Sequence, residues 1–347
     1  MTQQHFDIIC FTGSTEKGRL VAQAAGANLV PCILELGGKC PFIVDTGADL
    51  DYAAHKIVMA RFQNAGQTCI GVDHVLVRES LQERLIEACM NQLKKQFGID
   101  PKDKSTYKYN QDVGRIVTDY TIDRLQQVIE QSGGEVLVGG VEGIDREQRY
   151  VSPTIIKNPK LDAKIMKEEI FGPILPIVTY KDFSEVIDVH INGKGKPLAI
   201  YYAGNGWGSN FKRLCDETSS GNISSNDALF HAGNPELGFG GVGLSGYGRV
   251  GGYDAFKQWS NVKSIVVRHQ TNFWPYNIIC PPYPESKLKL LRFLLGLSKV
   301  KQDAVNYGIL KLVLLCLAAY LCFGRLGESQ FRREIVAAII GFLKRYA

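Results

Sequence analysis

The chain has 347 residues, a net charge of +5 and 45% hydrophobic residues, which is enough to bury a core and excludes a disordered or fibrous protein. No block of lysines and arginines is interleaved with aromatic residues, so a nucleic-acid partner is not expected. The nine cysteines include no Cys-x-x-Cys pair and the six histidines no His-Glu-x-x-His pattern. This composition argues against a disulfide framework and a metal site, and for a reducing compartment.

Strands and helices are predicted to alternate along the first 218 residues. Short apolar runs indicate strands at 7–12, 29–34, 41–44, 72–77, 135–138, 150–156, 174–180 and 198–203. Longer periodic segments indicate helices at 16–27, 50–64, 81–97, 123–131, 183–192 and 207–218. The second helix has Tyr52, Ile57, Val58 and Phe62 as its predicted core residues. This alternation is typical of an α/β protein.

The character of the chain changes at residue 272, where prolines mark an extended linker followed by a basic, leucine-rich stretch. Residues 309–323 are apolar apart from Lys311, and extension back to Val305 gives a segment long enough for a transmembrane or membrane-embedded helix. Residues 325–347 form an amphipathic segment suited to a membrane surface. A core helix or a dimer contact is the alternative interpretation of this tail.

The first chemical motif is the run Asn-Ala-Gly-Gln-Thr-Cys at 64–69. Small and polar neighbours let Cys69 occupy a tight, partly exposed turn, where a thiolate could act as a nucleophile. Backbone N–H groups and nearby cations can raise the thiolate fraction. A buried, inert cysteine is the alternative.

The second motif is Leu-Glu-Leu-Gly-Gly-Lys at 34–39. Glu35 is predicted at the end of a strand, just before a tight bend, so its carboxylate can project into a cleft. Partial burial would raise its pKa and make it a usable base near neutrality. An ordinary surface glutamate at a strand end is the alternative.

Two further sequence motifs contain residues that could bind a ligand. Glu-Glu-Ile-Phe-Gly-Pro at 168–173 places two adjacent acids before a turn; a solvated helix end is the alternative. Phe-Thr-Gly-Ser-Thr-Glu at 11–16 places Gly13 at a turn and Ser14 or Thr15 at a helix N-cap, whose N–H groups would face an anion. The glycines at 241, 243 and 246 fit G-x-G-x-x-G, but no strand precedes them and no helix follows at once, so a dinucleotide fingerprint is rejected.

These four runs, in this order, resemble the motifs of the aldehyde dehydrogenase family. The resemblance covers about residues 7–269, and Pro-Pro-Tyr-Pro at 281–284 with the apolar tail is most similar to the class 3, fatty aldehyde members. It implies NAD- or NADP-dependent oxidation of long-chain aldehydes to acids. Cys69 would form a thiohemiacetal and then a thioester, and Glu35 would activate the water that releases the acid.

The resemblance also assigns the cofactor contacts and the partners. Glu169 would bind the nicotinamide ribose hydroxyls, Phe171 would pack beside the nicotinamide, and Gly13, Ser14 and Leu36 would also contact the cofactor. The expected partners are an aldehyde, a second copy of the chain in a homodimer, and a membrane contacted by the tail. The expected location is the cytosolic face of an endoplasmic reticulum-like membrane.

One departure from the family concerns the start of the chain. Family members carry a long N-terminal portion ahead of the Gly-Ser-Thr loop, which supplies most of the dinucleotide-binding sheet. The expected scaffold therefore has an incomplete dinucleotide-binding domain at 1–34, a complete catalytic domain at 35–226 and a return segment with an oligomerisation strand at 227–271. A linker with a basic stretch at 272–304, the helix at 305–324 and the amphipathic segment at 325–347 follow. A non-catalytic scaffold or dimer partner and a thioester or ester hydrolase are the competing functions.

Overall fold

The computed structural model describes residues 4–267 and 279–297. The strands are β1 Ile9–Gly13, β2 Cys32–Leu36, β3 Pro41–Val44, β4 His74–Arg78, β5 Glu135–Val138, β6 Ile144–Asp145, β7 Tyr150–Val151, β8 Thr154–Lys157, β9 Ile174–Tyr180, β10 Ala199–Ala203, β11 Asn222–Ser225 and β12 Gly246–Tyr247. The helices are α1 Thr15–Ala27, α2 Leu50–Phe62, α3 Gln82–Phe97, α4 Asp119–Glu130, α5 Lys164–Lys167, α6 Phe183–Glu185, α7 Ser209–Glu217, α8 Gly252–Gln258 and α9 Glu285–Leu297. The predicted α/β alternation is confirmed.

The central element is a sheet in the order β11-β10-β3-β4-β9-β8-β5. Its neighbours pair in parallel except β5 and β8, which are antiparallel. Strands β3, β4 and β10 are buried along most of their length because helices cover them, as parallel sheets require. A smaller sheet has the order β1-β2-β12, with β1 parallel and β12 antiparallel to β2.

Helices α2 and α3 show how the apolar pattern becomes packing. Leu85, Cys89 and Leu93 recur at every fourth position of α3 and are fully buried against the core that also holds Ile57. Gly98 ends α3 in the left-handed conformation, with φ of 66°, and its N–H bonds the carbonyl of Lys94. Glycine tolerates this conformation without strain, so the helix end predicted from sequence is the one observed.

Several sequence-based boundaries needed correction. The first strand was expected to be buried, but β1 is half-exposed because it forms an edge of the small sheet. The second strand begins at Cys32 rather than at residue 29, because Leu29 is left-handed, with φ of 56°, and Pro31 follows. Tyr52 is 47% exposed and is not a core residue, whereas the other three predicted core residues of α2 are buried. Residues Val186–Ile191 form a π-helix where an α-helix was expected.

The described residues after Lys263 belong to a second compact unit. In it, α9 covers most of the predicted basic, leucine-rich stretch, and Lys287 donates a hydrogen bond to the Pro282 carbonyl at 3.3 Å. The helix predicted at 305–324 and the segment at 325–347 lie outside the described residues. Among the residues the structure describes, no helix has the length and apolar character needed to cross a bilayer.

The α2–α3 core gives a first prediction. We expect Leu85→Ala to lower the free energy of unfolding by about 2–5 kcal/mol, because a fully buried side chain is replaced by a cavity. Glu87→Ala, on the exposed face of the same helix, is the matched control and should change stability by less than about 0.5 kcal/mol. Urea unfolding followed by circular dichroism measures both. Equal effects would contradict the assignment of the buried face of α3.

Candidate active site

The sequence motifs converge at one edge of the large sheet. Strands β10, β3, β4 and β9 are neighbours, and residues 37–40, 69–73 and 168–173 directly precede β3, β4 and β9. Parallel strands start at the same edge of a sheet, so three motifs far apart in sequence meet there. Strand β2 ends at Leu36, one residue before Gly37, and carries Glu35 into the same region from the small sheet.

The loop that carries Cys69 has an unusual backbone. Asn64, Ala65 and Gly66 are all left-handed, with φ of 54°, 52° and 71°, a conformation that is strained for residues other than glycine. Gln67 holds this turn: its Nε2 donates to the Asn64 carbonyl at 3.2 Å and to the Arg115 carbonyl at 3.0 Å. Such strain persists only where packing and hydrogen bonds from the surrounding residues hold the backbone in place, and strained residues are common at functional sites.

The Cys69 thiol is half-buried and packs against the main core. Burial raises its pKa, and the carboxylates of Glu169 and Glu35 raise it further, whereas the N–H groups of Ile70 and Cys69 oppose the rise. The backbone N–H groups thus lower the thiol pKa, as expected from the sequence, but burial and the two carboxylates raise it by more. The thiol is therefore protonated at neutral pH and needs a base before it can act as a nucleophile.

Glu35 has the properties of such a base. It is 5% exposed, and neither carboxylate oxygen has a hydrogen-bond partner in the described residues. Burial raises its pKa to about 7, and the Arg249 guanidinium limits the rise. The Glu35 charge also contributes to the raised pKa of the Cys69 thiol. A group with a pKa near the working pH is the best compromise for a general base.

Glu169 lies against the backbone that follows Glu35. A β-carbon built on Gly37 would be 2.0 Å from Glu169 Oε2, so only glycine leaves room for this carboxylate. Burial is the main cause that raises the pKa of Glu169 to about 7, with Asp73 adding to the rise. Phe171 follows in the left-handed region, with φ of 47°, and its ring is 38% exposed. The structure therefore brings Glu169 to both Cys69 and the Gly37 turn.

A buried ion pair joins the three motifs. Lys39 Nζ pairs with the Asp73 carboxylate and also donates to the carbonyls of Ile165 at 2.8 Å and Glu168 at 3.0 Å. Asp73 in turn accepts from the Ile170 N–H at 2.9 Å. The pKa of the Asp73 carboxyl lies well below its usual range, because Lys39 and other cations outweigh the effect of burial. This network fixes the backbone on both sides of Glu169.

A cavity of about 150 Å³ opens beside Glu169. It is lined by Thr15, Gly37 and Gly38, and also by four lysines: Lys39, Lys167, Lys194 and Lys196. Lys194 is held in place because its Nζ donates to the Met166 carbonyl at 3.0 Å. The cavity thus combines a carboxylate acceptor with several cations.

The N-terminus of α1 is next to this cavity. Ser14 caps the helix, with its Oγ accepting from the Lys17 N–H at 3.3 Å, and Thr15 donates to the Leu244 carbonyl at 3.0 Å. Gly13 is the last residue of β1, in register with Leu36. Leu36 is buried between the small sheet and α1, so its side chain belongs to the core there. The cofactor roles of Gly13, Ser14 and Leu36 remain predictions.

Sequence reasoning missed three residues of the site. Asp73 is an isolated acid in an apolar stretch four residues after Cys69, Arg249 is the lone cation of a glycine-rich loop, and Lys194 follows the π-helix. An isolated charge among apolar or glycine residues is the signal that could have found the first two. In the described residues, no cluster of three potential ligands could hold a metal ion.

A thiol, a buried carboxylate of raised pKa and a cavity lined by charged groups are the components that covalent catalysis through sulfur requires. Comparison with known proteins extends this conclusion. The sequence profile of the Aldehyde dehydrogenase family matches residues 1–265. The chain is 38% identical over 284 residues to "Aldehyde dehydrogenase, dimeric NADP-preferring" of Rattus norvegicus, covering 82% of this chain and 60% of that protein.

Two further relatives agree. "Aldehyde dehydrogenase family 3 member A2" of Rattus norvegicus is 37% identical over 320 residues, or 92% of this chain and 62% of its own length. The substrate-bound structure of Staphylococcus aureus AldH superposes with a TM-score of 0.71 at 36% identity, covering 85% of this chain and 61% of that one. The chain belongs to the aldehyde dehydrogenase family, with class 3 members among its relatives. It spans about three fifths of the length of these relatives.

The buried ion pair gives a second prediction. We expect Lys39→Ala to lower the free energy of unfolding by roughly 3–5 kcal/mol, because it leaves the Asp73 carboxylate buried and uncompensated. Lys104→Ala breaks a pair in which both side chains are more than 60% exposed, and should cost less than about 1 kcal/mol. Thermal and urea unfolding measure both variants. A small loss for Lys39→Ala would mean that water reaches Asp73.

The raised pKa of Glu35 gives a third prediction. The folded protein retains a proton on Glu35 up to about pH 7, whereas the unfolded chain releases it near 4.5, so this group makes stability fall as the pH rises between those values. Glu35→Gln removes that loss and should stabilise the protein by roughly 1–3 kcal/mol at pH 8 relative to its effect at pH 5.5. Urea unfolding at both pH values tests it, with Glu87→Gln as the surface control. An effect independent of pH would show that Glu35 titrates normally.

Proposed function

We propose that this chain oxidises aldehydes to carboxylic acids through a covalent adduct on Cys69. The observation that carries the proposal is a buried carboxylate without a hydrogen-bond partner, that of Glu35, two residues before the Gly37 turn that packs against Glu169. The loop of Cys69 packs against the same motif, where Gly66 meets Gly172. Because the thiol pKa is raised, a base must take its proton as the sulfur attacks, and Glu35 has the pKa for this transfer.

The residues of the chain account for the proton and carbon chemistry. The Cys69 sulfur adds to the aldehyde carbon, and the carbonyl oxygen becomes the hydroxyl of a thiohemiacetal. Loss of the hydroxyl proton to water and of a hydride from this carbon, which a bound hydride acceptor would receive, leaves a thioester. Glu35 then takes a proton from water as its oxygen attacks the thioester carbon, the carbon–sulfur bond breaks, and the acid leaves with the thiol restored.

The charged groups that line the cavity suit the ribose and phosphate groups of a nicotinamide dinucleotide. The Glu169 carboxylate beside Gly37 can accept hydrogen bonds from two ribose hydroxyls, and the lysines with the N-terminus of α1 suit phosphate oxygens. When bound, the dinucleotide would supply the hydride acceptor. Phe171 would pack beside the nicotinamide, and Gly13, Ser14 and Leu36 would complete the contacts. The name of the NADP-preferring relative supports a nicotinamide cofactor, and we propose NAD or NADP.

We further propose that the chain forms a homodimer, which the word "dimeric" in the name of one relative supports. The apolar stretch at 309–323 and the basic α9 support a fatty aldehyde substrate and attachment to the cytosolic face of a membrane, where apolar aldehydes concentrate. We also propose that the domains and segments of the chain end at residues 34, 226, 271, 304 and 324. Strand β2 crosses the first of these boundaries, because it extends to Leu36.

A hydrolase is the second candidate function, because the thiol and its base are complete without a hydride acceptor. An activated ester such as p-nitrophenyl acetate tests for hydrolase activity, because it acylates the cysteine directly. We expect cofactor-independent ester turnover by the chain and its loss in Cys69→Ala. Cys215→Ala, an exposed cysteine on α7, should behave as the parent.

Glu35→Gln should separate the two half-reactions. Acylation slows because the thiol has lost the base that takes its proton, but it still proceeds since p-nitrophenolate is a good leaving group. Release slows more, by about 10²–10⁴-fold, because no base activates water. Mass spectrometry of the intact protein should then show one acyl group on Cys69 that persists. Aldehyde oxidation with added NAD or NADP distinguishes a dehydrogenase from a hydrolase. Turnover of ester without any turnover of aldehyde would favour the hydrolase.

A further inference from the structure

The glycine-rich loop at 239–250 covers Glu35. Strand β12 in this loop pairs antiparallel with β2, placing Gly246 opposite Glu35 and Tyr247 opposite Leu34. Phe239 and Val250 close the loop through two backbone hydrogen bonds of 2.7 Å each. The loop is therefore a fixed cover over the carboxylate, and its residues have defined positions relative to β2.

The loop holds one cationic side chain in a fixed position. Arg249 is half-buried, and its Nη1 donates to the carbonyls of Gly241 at 2.9 Å and Gly248 at 3.0 Å. Its backbone N–H donates to Gln258 Oε1 at 2.9 Å. Both ends of the residue are thus tied to the loop and to α8, so the guanidinium does not depend on a carboxylate for its position.

This guanidinium faces Glu35. A β-carbon built on Gly240 would lie 2.9 Å from both Arg249 Nη1 and Glu35 Oε1. The two atoms are therefore no more than about 6 Å apart, a separation at which opposite charges interact strongly in a partly buried site. The carboxylate nevertheless accepts no hydrogen bond from Arg249. Its lone pairs stay free to take a proton while the positive charge acts through space.

The Glu35 charge also acts on two thiols, those of Cys10, from β1, and Cys69, from the loop before β4. The nearest other carboxyl group along the backbone is that of Glu169, which lies against Gly37. Burial raises the pKa of both thiols, so each remains protonated at neutrality. Among these neighbours, Arg249 supplies the positive charge, which opposes the effect of burial on the carboxylate.

We propose that Arg249 is a positioning residue whose fixed charge keeps Glu35 ionised enough to act as a base at neutral pH. The inference rests on the function proposed above, in which Glu35 activates water. The indirect contact is suited to this role. A direct ion pair would hold the carboxylate ionised but weaken it as a base, whereas burial alone would keep it protonated.

The test is a titration of the Glu35 carboxyl in the full chain labelled with ¹³C-glutamate. The Glu35 signal is the one missing from Glu35→Gln. We expect it to titrate near pH 7 in the parent and about one to two pH units higher in Arg249→Gln, because a charge some 6 Å away is lost. Arg249→Lys keeps the charge and should recover most of the shift. Arg213→Gln, which removes a charge paired with Glu217 on α7, should leave the titration unchanged.

Kinetics supply the second measurement. Hydrolysis of p-nitrophenyl acetate by Arg249→Gln should be roughly 5- to 50-fold slower than the parent at pH 7 and should recover above pH 9.5, since the ionised fraction of Glu35 then returns. An unchanged Glu35 titration, or an equal loss of rate at every pH, would overturn the proposal and leave Arg249 a structural role only. The titration does not require turnover, so it remains decisive even if the proposed enzymatic function fails.

Discussion

The candidate site depends on the buried ion pair between Lys39 and Asp73. Lys39 follows the turn after Glu35, Asp73 follows Cys69 by four residues, and the bonds to the Glu168 carbonyl and the Ile170 N–H enclose Glu169. One pair thus sets the relative positions of the segments that carry Cys69, Glu35 and Glu169. Burying two charges is costly, and this cost is offset only because several hydrogen bonds satisfy the remaining donors and acceptors.

The titratable side chains around this ion pair, those of Glu35, Glu169 and Cys69, all have raised pKa values. Burial raises the pKa values of Glu35 and Glu169 to about 7, and burial with these carboxylates raises that of Cys69. The two carboxyl groups therefore exchange protons near neutrality, whereas the thiol stays protonated there. Cations stand close to each carboxylate without neutralising it: Arg249 near Glu35, and Lys39 near Glu169. Catalysis needs that balance, since a base must be ionised yet able to take a proton.

The backbone around Cys69 is closely packed against the motif that carries Glu169. A β-carbon on Gly66 would come within 2.3 Å of the Gly172 carbonyl, so the Cys69 loop and the Glu169 motif are in direct contact at a glycine. The strained conformations of Asn64, Ala65 and Phe171 lie on both sides of that contact. The strain is held by the core packing and by the Gln67 hydrogen bonds, which rigidify the loop that presents the thiol.

The sequence alone determined the α/β alternation, the bounds of β3, β5 and β9, and the nucleophile, base and cofactor carboxylate as candidates. These features follow from local rules: apolar runs bounded by glycine or proline, and short motifs of distinct chemistry. It misplaced β2 because Leu29 adopts a left-handed conformation that local propensity does not predict. Only the tertiary structure decided that Asp73 neutralises Lys39, 34 positions away, and that Arg249 lies over Glu35. Electrostatic partners are chosen by distance in space, and sequence separation carries no information about that distance.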